Sequence, residues 1–144
     1  GAGRSDPRIR ARAASFLSAW RCSKRLHPAY FTAQTVRVGT FAHGVHNAVR
    51  HYEADANGHV NNVAYLHYLE QAAIEHSAAV GYPLGRYREM GTLFIVHRHE
   101  IDYLRPASPG DVLEVVTWAE EIRGPRAVRA YEVYRHGQAA SDVS

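Results

Sequence analysis

One helical segment stands alone in a chain otherwise patterned for strands. "NNVAYLHYLEQAAIEHSAAV", residues 61–80, brings Leu66, Leu69, Ala73 and Val80 near one face and spaces His67, Gln71 and Glu75 by four along another. It ends at "GYP", where Gly81 supplies a left-handed closing residue and Pro83 cannot continue a helix. Ahead of it, "HGVHNAVRHYEA" alternates Val45, Asn47 and Val49 with polar neighbours, as a half-buried strand does. Behind it come "TLFIVHRHEIDYL", "VLEVVTWAEEI" and "AVRAYEVYR", separated by "RPASPGD" and the tight turn "RGPR". "HGQ" then turns into "AASDVS", which reads as the opening of a last strand, short or incomplete. This order gives an α+β class: an antiparallel sheet packed against one long central helix. The helix is apolar over more than a narrow stripe, so the sheet is expected to curl around it. A curled sheet leaves an edge strand, and pairing two edges is a common route to a dimer.

The 144 residues suffice for one domain with a real core. No apolar run reaches the length of about 18 residues that a membrane-spanning helix needs. Cys22 is the single cysteine, which excludes an intrachain disulfide framework and a multi-cysteine zinc site and fits a reducing, cytoplasmic compartment. The formal net charge is +3, and Lys24 is the only lysine. Arginine forks suit phosphate groups, although a coding-sequence bias toward Arg, Ala and Gly accounts for the count better than any functional reason. After residue 40 the basic residues are interleaved with acids, which argues against nucleic-acid binding. Residues 1–40 form an Arg-rich extension, and residues 41–144 the domain. The acid-poor start, "GAGRSDPRIRARAASFLSAWRCSKR", has the composition of an organelle transit peptide, while "GAG" also fits a cloning remnant.

Between the first strand and the helix lies "EADANGHVNN", with Asp55, Asn57, His59, Asn61 and Asn62 inside eight positions. Several readings fit this loop taken alone. Asp and Asn before a helix are ordinary turn and cap residues, with Asn61 or Asn62 as the N-cap. The first amides of a helix lack intrahelical partners, and the dipole there favours an anion or a developing oxyanion. Gly58 lets the backbone approach another group closely. A carboxylate at Asp55 beside such donors is sufficient for acyl-transfer hydrolysis. A metal site would need three or four ligands. Asp55, Asn57 and His59 alternate, as do His97 and His99, but nothing nearby completes a set, and no metal is expected.

Taken whole, "HYEADANGHVNNVAYLHYLEQA" resembles the signature of the hotdog-fold acyl-CoA thioesterases of the 4-hydroxybenzoyl-CoA thioesterase type. Its "DANGHVNNVAYLHYLE" is similar to the loop pattern of plant acyl-ACP thioesterases, and "EIDYLRPASPGDVLEV" to the family's second landmark. The resemblance spans about residues 42–144. It implies a hotdog fold and hydrolysis of an acyl thioester on CoA or acyl carrier protein, with no cofactor. Asp55 then matches the catalytic carboxylate, as nucleophile or general base, and Asn62 the residue whose amide polarises the carbonyl. Asn57 and His59 match residues that position substrate and water. Gly58, Tyr65 and Glu70 also fit the pattern, Tyr65 by packing and Glu70 as a second polar group or a solvated helix residue. The family's site lies at a dimer interface, so a homodimer or homotetramer is implied. Two departures stand out: the chain halts at "SDVS", and the extension is long, its arginines available to CoA phosphates or a carrier protein. Two other functions remain open: a non-catalytic acyl-CoA binding or sensing protein, and a hotdog enoyl-CoA hydratase, whose loop histidine follows its aspartate at a different spacing.

Overall fold

The computed structural model describes residues 6–21 and 43–136. The strands are β1 (Ile9–Arg21), β2 (His43–Ala48), β3 (Thr92–Tyr103), β4 (Val112–Arg123) and β5 (Arg126–Arg135). They form one sheet in the order β2-β4-β5-β1-β3, with every neighbouring pair antiparallel. Two helices accompany it, α1 (Asn62–Ala79) and α2 (Leu84–Met90). The sequence reading of one helix ending at "GYP" is therefore corrected. Pro83 stops α1 from continuing, yet it is also the N-cap of α2, because proline's fixed φ suits a helix start. Gly91, at φ 65°, closes α2.

A second difference concerns the N-terminus. Residues 1–40 read as an extension ahead of the domain, but Ile9–Arg21 is an interior strand, paired with β3 on one side and β5 on the other. Ile9, Ala11 and Ser15 are buried at every second or fourth position, the period of a strand with one face on the core. The segment "AASDVS", expected to open a last strand, lies outside the described residues.

The core forms where α1 meets the sheet. Leu113, Val115 and Thr117 of β4 and Tyr131 and Val133 of β5 are buried at alternate positions. All but Thr117 share a cluster with Ala64, Tyr65, Tyr68, Leu69 and Ala72 of α1, closed by Val60 and Ala107. The buried helix face runs through Ala64, Tyr68, Leu69, Ala72 and His76, turned from the Leu66–Ala73–Val80 face expected from sequence. Only Leu69 of the expected four is fully buried, and Val80 is 48% exposed. Tyrosine and alanine take the interior places that a search for leucine and valine passes over. Gln71 does bond Glu75 on the polar stripe, at 3.0 Å.

Near the end of α1, the half-buried Arg129 donates from its guanidinium to His76 Nδ1 at 2.7 Å and to Thr117 Oγ1 at 3.3 Å. An arginine is always a donor, so His76 Nδ1 is the acceptor and its proton is on Nε2. The last turn of a helix favours such a cation.

β3 is the edge strand beyond β1. Its Leu93, Phe94, Ile95 and Val96 are each 39–41% exposed, with α2 lying alongside and Tyr87 packing edge-on against Phe94. The pairing of β1 with β3 shifts between Phe16 and Leu17, so that His97 is the extra residue. His97 lines an open groove with Phe16 and Ile95, whereas His99 Nδ1 sits 2.7 Å from Ser15 Oγ. Among the described residues, no group of three His, Cys, Asp or Glu side chains is placed to hold a metal ion. Nor is any described helix long and apolar enough to cross a membrane.

Candidate active site

The loop between β2 and α1 is a small antiparallel finger. Ala54 and Val60 form an isolated bridge, and the Asp55 N–H donates to the His59 carbonyl at 2.7 Å. The Gly58 N–H donates back to the Asp55 carbonyl at 3.0 Å, closing a turn that needs Gly58 at φ 75°. A side chain there would meet nothing within 4 Å, so the space in front of Gly58 is open.

Asp55 orders this turn itself. Its Oδ1 accepts the Asn57 N–H at 2.9 Å and the His59 N–H at 3.2 Å, an Asx-type arrangement. The turn-residue reading and the reactive-carboxylate reading are thus compatible, since the amides that fix the loop also fix the direction of the carboxylate. Asp55, Asn57, Gly58 and His59 are all exposed.

The finger is tied to the helix at its base. The Asn61 N–H donates to the Glu53 carbonyl at 2.8 Å, and the Val60 N–H to the Ala107 carbonyl at 2.8 Å. Asn61 is the N-cap: its Oδ1 accepts the Val63 N–H at 2.9 Å and its carbonyl the Ala64 N–H at 2.9 Å. Asn62 is the first helical residue, and its amide has no acceptor within the helix. The first turn contains no acidic side chain, so its positive end is not offset there. The Tyr103 hydroxyl donates to the Asn62 carbonyl at 3.0 Å, holding the helix start against the end of β3.

Asp55, Asn57, Gly58 and His59 are therefore brought together in one turn, with Asn62 just beyond it at the helix start. Tyr65 and Glu70 are placed elsewhere. Tyr65 is 3% exposed and packs edge-on against Tyr103 and Tyr68, at 5.3 and 6.2 Å between ring centres. Glu70 is exposed and lies about 12 Å further along the helix axis than Asn62, from the helical rise. Among the described residues, three of the extension's arginines contact other groups of the fold. Arg8 pairs with Asp6 at 2.6 Å, Arg10 is buried and donates to the Pro7 carbonyl, and Arg12 lies 3.9 Å from Glu132.

Glu53, Tyr68 and Tyr103 were not singled out from the sequence. Their signal is faint: a tyrosine at an interior helix position carries a hydroxyl that must find a partner. Here the Tyr68 hydroxyl donates to Glu53 Oε2 at 2.6 Å.

Burial pushes the Tyr65 phenol up to about 12. The folded state then keeps its proton where the unfolded chain, at the ordinary value of 10.0, releases it. Stability is unaffected below pH 10 and falls as the pH rises from 10 toward 12. Denaturant melts at about pH 9 and about pH 11 check this: Tyr65→Phe should lose less stability between them than the parent chain.

Comparison with known proteins bears on the family and the fold. The family model described as the thioesterase-like superfamily matches residues 49–143. A protein of Aquifex aeolicus that carries the provisional name of esterase is 30% identical over 96 residues, 67% of this chain and 75% of that one. The long-chain acyl-CoA thioesterase FadM of Escherichia coli is 28% identical over 100 residues, 66% of this chain and 73% of that one. A crystal structure of a hypothetical Aquifex aeolicus protein superposes with a TM-score of 0.54 at 23% identity, covering 67% of this chain and 89% of the other. The fold is of the hotdog type, a curled antiparallel sheet with helices, and the chain belongs to the thioesterase-like superfamily.

Proposed function

We propose that the protein hydrolyses an acyl thioester at the turn before α1. The observation that carries this reading is the pairing of an exposed, directionally fixed carboxylate with the uncapped first amide of a helix whose first turn holds no acid. In the general-base form, Asp55 takes a proton from water, and the resulting hydroxide adds to the thioester carbonyl. The oxyanion is held by the Asn62 N–H and the positive end of α1. When the tetrahedral centre collapses, the C–S bond breaks, and the thiolate leaves and is protonated. In the nucleophilic form, Asp55 itself attacks the carbonyl, the C–S bond breaks and the thiolate leaves and is protonated, and water then hydrolyses the mixed anhydride to the free acid and the Asp55 carboxylate. Asn57 and His59 flank the carboxylate and position thioester and water, with the open space at Gly58 admitting the substrate backbone. Tyr65 supports the helix start by packing, and Glu70 is a solvated helix residue of the same face or a contact for the far part of the substrate.

The substrate is taken as an acyl-CoA because the Escherichia coli relative is named for long-chain acyl-CoA hydrolysis. The active species is taken as a homodimer. The site residues are exposed, Tyr52 and Val63 beside them are 66% and 57% exposed, and β3, the edge strand among the described residues, carries four exposed apolar residues. A second copy would enclose what one chain leaves open. Free-thiol release from a panel of short, long and aromatic acyl-CoAs tests the reading. Saturable hydrolysis of at least one is expected, and no release from any would refute it. His59→Ala should lower turnover by roughly 10-fold, less than loss of Asp55, as for a group that orients rather than reacts.

A further inference from the structure

We propose that Tyr68 and Glu53 are positioning residues: through Glu53, the buried Tyr68 hydroxyl sets where the Asp55 turn stands relative to the first amide of α1. The proposal rests on the thioesterase reading above and adds to it two residues that do not touch the substrate.

Glu53 is the last residue of a 3₁₀ turn, two positions before Asp55. It is held in three ways at once. Its Oε2 accepts the Tyr68 hydroxyl at 2.6 Å and the Arg50 N–H at 2.8 Å, and its carbonyl accepts the Asn61 N–H at 2.8 Å. The side chain thus reaches into the second turn of α1 while the backbone grips the residue that caps the same helix. Both mouths of the finger, Glu53 on the way in and Asn61 on the way out, are fixed to one rigid element. What lies between them is the Asp55 turn.

The interior end of the clamp is as well held as the exterior end. Tyr68 is 5% exposed, belongs to the core cluster and packs edge-on against Tyr65. A phenol so placed must donate to something, and a carboxylate acceptor makes a strong, short bond. A leucine or phenylalanine would fill the same volume and leave Glu53 without its inward anchor. Reactions at a fixed turn are sensitive to its placement, and misplacement by about 1 Å can cost up to about 10²-fold in rate.

The test compares Tyr68→Phe, Glu53→Gln and Glu53→Leu in full-length protein, by steady-state kinetics on the best acyl-CoA and by amide hydrogen exchange. Tyr68→Phe should lower kcat on the order of 10-fold with KM within about twofold. It should also speed exchange of the Asn57, His59 and Asn61 amides. Glu53→Gln keeps an acceptor for the hydroxyl and should retain most of kcat, whereas Glu53→Leu should match Tyr68→Phe. The double variant Tyr68→Phe/Glu53→Leu should then lose no more than either single one. If Glu53→Leu fails to fold, Tyr68→Phe, which removes one oxygen, still decides. An unchanged kcat in Tyr68→Phe overturns the proposal, and so does a lower kcat with unchanged exchange in the loop. If the wild-type chain hydrolyses no thioester, the functional reading fails by itself. Exchange in Tyr68→Phe then shows separately whether the clamp holds the turn, and unchanged protection overturns it.

Discussion

Asp55→Asn should leave the fold intact and lower hydrolytic turnover on the order of 10²-fold or more, as expected for loss of a reacting carboxylate. The substitution is informative because Asn can keep much of what Asp55 does structurally. An amide oxygen can still accept the Asn57 and His59 N–H groups that Oδ1 now binds at 2.9 and 3.2 Å, and asparagine suits the same turn. The charge and basicity are lost, and with them both routes by which the thioester could be attacked. If Asp55 were only a turn residue, the variant would work as well as the parent. Circular dichroism and sedimentation establish that fold and assembly are retained, and initial rates of thiol release then give the effect on chemistry.

Deleting residues 1–21 should abolish cooperative folding rather than tune substrate affinity. Had these residues been a loose arginine-rich extension, their loss would at most have changed the Michaelis constant. In the structure they supply β1, which is paired along both edges and buries Ile9, Ala11 and Ser15. Each ladder bond is worth about 0.5–1.5 kcal/mol net. Losing the ladders on both sides of an interior strand outweighs the roughly 5–15 kcal/mol that holds a typical domain together. The remaining strands would be left as β2-β4-β5 with β3 detached. A truncated chain that still melted cooperatively near the parent temperature would show that β1 is dispensable and that the described strand order is not what holds the sheet.

The contrast shows what a sequence of this kind discloses. α1 and strands β3, β4 and β5 are legible because each is an apolar-rich run of the right length, set off by turns that carry Gly81, Gly110 and Gly124. The Asp55 turn is legible as a turn, because Asp55, Asn57 and Gly58 are turn residues just ahead of a helix; a chemistry for it comes only from the family resemblance, since several readings fit the loop alone. β1 is hidden because its interior positions are filled by Ala11, Ala13 and Ser15, too small to stand out between Arg10 and Arg12. Its place between β3 and β5 is a matter of chain topology, to which no local pattern refers. The Glu53–Tyr68 bond is hidden for a related reason: it joins residues 15 positions apart, and only the fold brings them together. The shift of the buried helix face toward Tyr68 has the same origin, since its hydroxyl finds its acceptor on Glu53, outside the helix.

The proposed mechanism puts the thioester at the Asp55 turn with its carbonyl on the Asn62 amide. Titrating the isotopically labelled protein with an unreactive acyl-CoA analogue, a ketone in place of the thioester, tests this most directly through the backbone amide resonances. The Asn62 amide should shift most, toward stronger hydrogen bonding, with smaller shifts at Asn57, Gly58 and His59. Saturable shifts confined to the groove lined by Phe16, Ile95 and His97, with Asn62 unmoved, would contradict it.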